Sequence, residues 1–218
     1  MKRKLLYVCA VLLLPVLVVS CYPDDADYVD ELDIAMTNYD EKADFSAIRT
    51  LAMPDSVVVI GENKDMNKVS HRFDAQILSL VKKNLSEYGY TFLSTDEIKD
   101  GKEPDGILTV SAFTSSYFIY GDAYPWYDYW GWYPWGIFDW YYPGMRPAYI
   151  WYPVASYQTG SVSIEMLDPK KADKETQRIP VIWSGVVNGI LAGSDNYIEQ
   201  RLEKNIGQCF VQSPYLKH

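Results

Sequence analysis

Histidine and cysteine are scarce in this chain, with two histidines and three cysteines among 218 residues. A zinc centre would have to be built from carboxylates and a single thiol, and a nucleophile activated by imidazole has almost no base to draw on. Basic residues are outnumbered, 20 Lys and Arg against 29 Asp and Glu, for a net charge of −9. A surface that tracks nucleic-acid phosphates needs the opposite sign. The apolar run Leu5 to Val19 is 15 residues long and interrupted by Pro15. A spanning helix needs about 20. No Gly-rich phosphate loop follows a strand, no Gly-x-Ser-x-Gly elbow occurs, and nothing repeats at solenoid periods. What is present is 48% hydrophobic and 22% charged. That is too apolar for a disordered tail and too charged for a multi-span membrane protein. The length fits one domain with a decorated loop.

The N-terminus reads as an address. Lys2, Arg3 and Lys4 precede the apolar run, which ends at Leu17-Val18-Val19-Ser20-Cys21. This matches a secretory signal of residues 1–20, and its end resembles a bacterial lipobox in which Cys21 is acylated and becomes the mature N-terminus. Two other readings stay open: an uncleaved anchor, and a Cys21–Cys209 disulfide. Under the lipoprotein reading the bilayer is the partner of Cys21, held by several acyl chains. Cys9 leaves with the signal, Cys209 is alone, and no intramolecular disulfide is expected. Loss of Lys2, Arg3 and Lys4 leaves 17 basic against 29 acidic residues. Asp24, Asp25, Asp27, Asp30, Glu31, Asp33, Asp40, Glu41 and Asp44 face a single Lys42. Residues 21–44 therefore read as an acidic, solvated tether. Cys21-Tyr22-Pro23-Asp24-Asp25 also resembles the acidic export signal of Bacteroidetes surface lipoproteins. The expected location is the outer membrane, with the facing left open between periplasm and cell surface.

From Phe45 to His218 the pattern is that of one α+β domain. Strands are expected over Ile48–Met53, Val57–Ile60, Tyr90–Leu93, Gly106–Tyr120, Ser161–Met166 and Ile179–Leu191. Val69, Phe73, Ile77, Leu80, Val81, Leu85 and Tyr88 form a helical stripe closed by Gly89. A second helix spans about Asp195 to Val211, with Ser194 as N-cap and Ile198, Leu202, Ile206, Cys209 and Phe210 as its stripe. A strand–helix–strand unit implies a parallel pair, and three later strands imply an antiparallel meander. The expected architecture is a two-layer sandwich: a mixed, mostly antiparallel sheet of about five strands covered by two helices.

Composition changes abruptly at the insert, residues 120–153. Tyr120 to Tyr152 holds 16 aromatic residues, punctuated by proline and glycine and with one basic residue, Arg146. Its indoles are Trp126, Trp130, Trp132, Trp135, Trp140 and Trp151. Tyr127 and Tyr133 lie in the related turns Tyr124-Pro125-Trp126-Tyr127 and Tyr133-Pro134-Trp135. A loop this long in a compact domain is functional or disordered, and so many aromatics disfavour disorder. Three readings stand. The rings pack as a satellite core; they present a binding surface to an envelope protein or to a glycan; or they form a membrane-facing belt. The lack of basic residues argues against the last. The eight named rings are the candidate binding surface.

Several short motifs resemble one family. Tyr39-Asp40 with Asp44-Phe45-Ser46 and Arg49-Thr50-Leu51-Ala52 resembles the start of the domain-of-unknown-function 4136 family of bacterial envelope lipoproteins. Asp105-Gly106-Ile107-Leu108-Thr109-Val110 resembles its central strand. Gly160-Ser161-Val162-Ser163-Ile164, Leu167-Asp168 and Val181-Ile182-Trp183-Ser184-Gly185 resemble its last hairpin, and Phe210 to Pro214 its closing helix end. The resemblance covers Tyr39 to Pro214 and places the aromatic insert where the family carries one. It implies an exported, lipid-anchored α+β domain without established activity, and it carries over no catalytic residue.

No catalytic, metal or cofactor site is expected from the residues themselves. His71 reads as a helix-start residue and His218 as a terminal one. Cys209 lies on an apolar stripe and reads as a core thiol. Trp183-Ser184-Gly185 is mid-strand. Asp122, Asp128 and Asp139 beside indoles suit a glycosidase cleft, which gives the alternative of a carbohydrate-binding or carbohydrate-active lipoprotein. The leading expectation is a non-catalytic, lipid-anchored envelope module that binds through its aromatic loop.

Overall fold

The computed structural model describes residues 33–60, 71–113, 117–120, 145–149, 154–157, 160–191 and 193–218. Along them run β1 (Ala35–Tyr39), β2 (Thr50–Ala52), β3 (Val58–Ile60), α1 (Asp74–Glu87), β4 (Thr91–Phe92), α2 (Thr95–Lys99), β5 (Gly106–Phe113), β6 (Tyr117–Tyr120), β7 (Arg146–Tyr149), β8 (Val154–Tyr157), β9 (Val162–Leu167), β10 (Arg178–Val187) and α3 (Asp195–Val211).

Alternation writes the centre of the sheet. In β5, Leu108, Val110 and Ala112 alternate with Thr109 and Ser111; in β9, Val162, Ile164 and Met166 alternate with Ser163 and Glu165. β5, β9 and β10 pair antiparallel, with Val110 opposite Ile164 and Ile164 opposite Gly185. The apolar set joins one core with Ile77, Val81 and Leu85 of α1 and Ile198, Leu202, Ile206, Cys209 and Phe210 of α3. Both stripes are those expected from the 3.6-residue period. Tyr88 Oη of the first helical unit donates to the Phe210 carbonyl at 2.8 Å, which ties the two helices together. Burial pushes the Cys209 thiol up to about 12, so it stays a protonated core side chain.

The fold is α+β, with a mixed sheet of eight strands rather than five. The difference comes from its flanks, where two short strands share one edge. β10 takes β7 in parallel over Arg178–Val181 and β1 antiparallel over Trp183–Val187. β5 takes β2 in parallel at Gly106 and Ile107 and β3 in parallel over Ser111–Phe113. β2 also pairs in parallel with β4, the parallel pair of the strand–helix–strand unit. The strand expected over Gly106–Tyr120 ends at Phe113; Tyr117–Tyr120 is β6, which pairs with β8 in a separate antiparallel ribbon. Ser94 and Glu97 form a capping box that makes the Ser94–Gly101 segment a true helical turn, α2. Ser194 occupies the N-cap of α3 without a side-chain bond.

The acidic stretch is shorter as a tether than its charge suggests. Residues 35–39 are a strand of the sheet, and Asp33 is a structural acid. The Asp33 side chain is 2% exposed and pairs with Arg201, itself 3% exposed. Arg201 Nε donates to Asp33 Oδ2 at 2.8 Å, and Asn205 Nδ2 donates to the same oxygen at 3.0 Å. Arg201 also reaches the Gly189 carbonyl at 3.1 Å and lies over the Tyr197 ring.

Trp183 fills the centre of the core. A register shift between Val181 and Trp183 puts the indole opposite Met166, on the helix side. The ring is fully buried, stacks on Phe210 at 5.6 Å, and donates from Nε1 to Ser213 Oγ at 2.9 Å. Gly185 makes room for it: a Cβ there would stand 2.8 Å from the indole Cη2 and 3.2 Å from Cys209 Cβ.

Asp105-Gly106 pins the start of β5 to β2. Asp105 Oδ2 accepts from the Arg49 and Thr50 N–H groups at 3.0 and 2.9 Å and from Thr50 Oγ1 at 2.9 Å. Lys170 Nζ meets Oδ1 at 2.6 Å. Gly106 permits the approach, since a Cβ would sit 2.8 Å from Leu51 Cδ2. Partial burial opposes the charge on Asp105, but the donors of Lys170, Thr50 and Arg49 outweigh it and hold the carboxyl below the usual carboxylate range. A folded pKa below the ordinary 3.8 stabilises the fold above that value, and the contribution drains away as pH falls through the folded one. Asp105→Asn should therefore lower stability by about 1–3 kcal/mol at neutral pH, the range for hydrogen bonds to a charged group. In urea titrations the gap from wild type should close as pH drops below about 4. A gap that is constant with pH would show that the charge contributes nothing.

Candidate functional site

The aromatic insert stands on a closed stem. β5 ends at Phe113 and β9 begins at Val162, and the chain between them returns to its own point of departure. The Phe113 N–H donates to the Ser161 carbonyl at 2.9 Å, and the Gly160 N–H donates to the Phe113 carbonyl at 2.7 Å. Gly160 has φ +82°, a left-handed turn that suits glycine. The stem is tied sideways to the segment leaving β10. Ser161 Oγ bonds Asn188 Oδ1 at 2.8 Å, and the Leu191 N–H donates to the Gly160 carbonyl at 2.9 Å.

Below the stem, a polar row crosses three strands on the sheet face opposite the helices. Thr109 of β5, Glu165 of β9 and Ser184 of β10 are consecutive cross-strand partners. Ser111 and Ser163 form the next pair towards the stem. Their alternation is that of a face written for water, yet Thr109, Ser111, Ser163, Glu165 and Ser184 are each at most 3% exposed. Thr109 Oγ1 donates to Glu165 Oε2 at 3.0 Å. Among the described residues, the buried Ser163 Oγ has no hydrogen-bond partner. An unpaired buried hydroxyl destabilises a fold by about 1–3 kcal/mol. Ser163→Ala should then raise stability by about 1 kcal/mol, whereas Ser161→Ala, which loses the Asn188 contact, should lower it by a similar amount. Urea denaturation of both variants checks this. A loss on Ser163→Ala would mean that the hydroxyl has a partner in solution.

The residues singled out from sequence fall differently. Cys21, Trp126, Tyr127, Trp130, Trp132, Tyr133, Trp135, Trp140 and Trp151 lie outside the described residues, as do Asp122, Asp128 and Asp139. His71 Nδ1 lies 2.8 Å from Asp74 Oδ2, the oxygen that also accepts from the Val57 N–H at 3.0 Å. It serves the entry of α1. His218 packs edge-on against Tyr90 at 4.5 Å, and its N–H donates to the Tyr88 carbonyl. Burial, with Arg49 nearby, lowers its pKa. Among the described residues, no cluster of three or more His, Cys, Asp or Glu side chains fits a metal ion. The polar row was not singled out, because alternation alone reads as a solvated face; only burial distinguishes it.

Known proteins supply a family and a fold. A crystal structure of a DUF4136-family protein from Bacteroides thetaiotaomicron VPI-5482 is similar at a TM-score of 0.60 and 25% identity, covering 85% of this chain and 97% of that one. The PelC dodecamer from Paraburkholderia phytofirmans overlaps at a TM-score of 0.37 and 9% identity, covering 81% and 95% of the two chains. No curated protein matches. Residues 35–215 match the family model described as "Domain of unknown function (DUF4136)", and the chain belongs to that family.

Proposed function

We propose that this protein is a lipid-anchored envelope module, acylated at Cys21, that binds a partner protein non-catalytically through its aromatic insert. The observation that carries this reading is the stem. The hydrogen bonds between Phe113 and Gly160-Ser161 close, on the β5–β9 pair, the excursion that carries the insert, and Tyr120 and Val154 at the insert's ends pair across the β6–β8 ribbon. Recognition segments are disproportionately loops mounted on a rigid scaffold. The insert sequence supplies the large, stiff contact area that such segments use: Trp126, Tyr127, Trp130, Trp132, Tyr133, Trp135, Trp140 and Trp151. The charged start and the apolar run ending at Cys21 support the anchor. Among the described residues no helix is long and apolar enough to cross a membrane.

The test is photo-crosslinking in intact cells, with the reactive amino acid placed at Trp130, at Trp135, or at exposed Lys83 of α1 as control. The expected result is one discrete envelope adduct from the two insert positions and none from Lys83. Equal, diffuse labelling at all three would end the binding reading. Conversion of Cys21 to Ala should abolish incorporation of a labelled fatty acid; label retained on that variant would end the anchor reading.

A further inference from the structure

The insert leaves the sheet at one end and meets it again near the other. Ala112, Val162 and Val187 stand side by side across β5, β9 and β10, and the stem at Phe113 and Ser161 lies one residue beyond them. Tyr149, the last residue of β7, pairs with Val181, whose other partner is Leu167, six residues along β9 from Ser161. At the rise of a strand, Tyr149 thus lies about 20 Å down the sheet from the stem. β8 resumes at Val154, five residues after Tyr149. A chain drawn taut over that interval reaches at most about 18 Å.

These lengths set the course of the β6–β8 ribbon. Tyr120 and Val154 pair at its tip, each seven residues from the stem. A ribbon running straight on would carry the tip about 23 Å outward, about 43 Å from Tyr149. A ribbon turned at a right angle would still stand about 24 Å or more from it. Both exceed the reach of the link, so the ribbon doubles back over the sheet. α1 and α3 occupy one face of the sheet through the shared core, which leaves the other face to the ribbon. On that face β5 runs Ile107, Thr109, Ser111, Phe113, apolar at the ends and polar at the centre. Ser163, Glu165 and Ser184 complete the polar centre, and all five polar side chains are buried.

We propose that the β6–β8 ribbon is a flap that opens from this polar face while the helix-side core stays closed. Layers adhere in proportion to the apolar area they bury against each other. Separation on the helix side would expose Leu108, Val110, Ile164 and Met166 together with the stripes of α1 and α3. Separation on the ribbon side exposes hydroxyls and a carboxylate, which water solvates. Ser163 Oγ, without a partner among the described residues, gains one on opening. The open flap presents Thr109, Ser111, Ser163, Glu165 and Ser184 as one hydroxyl-lined surface with a single acid, hidden when it is closed.

Thiol labelling of the full lipidated chain tests this, with peptide masses locating the label. Ser163→Cys places a thiol under the ribbon on β9, and Ser184→Cys does so on β10. Native Cys209, buried in α3, reports global opening. The introduced thiols should react about a hundredfold or more faster than Cys209, yet slower than in the urea-unfolded chain, because local openings cost less than the global one. A Gly-Ser extension after Tyr149 relaxes the link and should speed labelling at position 163 further, with Cys209 unchanged. Either thiol suffices if the other variant fails to fold. Should neither fold, amide exchange of wild type decides: β6 and β8 should exchange ahead of β5 and β9. Introduced thiols as slow as Cys209, or as fast as in the unfolded chain, would overturn the proposal. So would a longer link without effect, or amides of β6 and β8 that exchange together with those of β5 and β9.

Discussion

Conversion of Asp33 to Ala is expected to destabilise the domain by about 3–5 kcal/mol, the range for removing one partner of a buried ion pair. The Asp33 and Arg201 side chains are 2% and 3% exposed, so water cannot replace the lost carboxylate cheaply. The Gly189 carbonyl and the Tyr197 ring remain to Arg201, but neither carries a negative charge. Asn205 Nδ2 loses its acceptor on Asp33 as well. Asp33→Asn should lie between wild type and Ala, because it keeps the shape without the charge. Replacing both members, Asp33→Leu with Arg201→Met, should recover most of the loss, since an apolar pair of similar volume is often neutral or better. Urea denaturation gives the numbers. A loss below about 1 kcal/mol for Asp33→Ala would mean that the pair acts as an exposed one. Hydrogen exchange adds a spatial check: protection should fall first in β1 and in its partner residues Trp183–Val187.

Trp183→Ala should cost about 3–5 kcal/mol, as large aromatic deletions in cores do. Three separate losses meet there. The cavity would open between β10 and α3, beside Phe210. Ser213 Oγ would lose the indole donor and retain Tyr215 Oη at 3.2 Å. Gly185, whose missing Cβ accommodates the ring, would become an unfilled gap. Trp183→Ala/Gly185→Ala should therefore be less damaging than the sum of its single changes, because each alone leaves a mismatch that the other relieves. Gly185→Ala alone should cost about 1–3 kcal/mol by overpacking. Strict additivity of the two would sink this account of the site.

The elements most legible in the sequence are those whose pattern and burial agree. α3 was marked by a stripe from Ile198 to Phe210, and every one of those five residues is buried. β9 was marked by period-two alternation and is found within one residue of its expected bounds. Legibility failed where local chemistry points one way and tertiary structure another. β1 sits between Asp33 and Asp40, and the acids around it hid a strand of uncharged residues. Nothing local distinguishes Asp33 from the solvated acids before it; its partner Arg201 is 168 positions away. The flank strands β2, β3 and β4 were expected, but β1 and β7 were not, because strands of five and four residues carry too few positions to show a period. The aromatic insert was visible as an anomaly of composition, but its stem was not, since the bonds at Phe113 and Gly160 are made by backbone atoms.

That stem bears on how freely the insert can change. A chain that leaves and re-enters a fold through one hydrogen-bonded pair adds its length to a single loop, and doubling such a loop costs only about 0.6 kcal/mol in closure entropy. The residues flanking the departure point, Ser111 and Ser163 with Thr109 and Glu165 behind them, are polar side chains buried within the sheet. Among the described residues, the insert's tie to the main sheet beyond the stem is β7, which pairs in parallel with Arg178–Val181 of β10. Length added or removed on either side of β7 therefore leaves the registers of β5, β9 and β10 unchanged at a small cost in closure entropy.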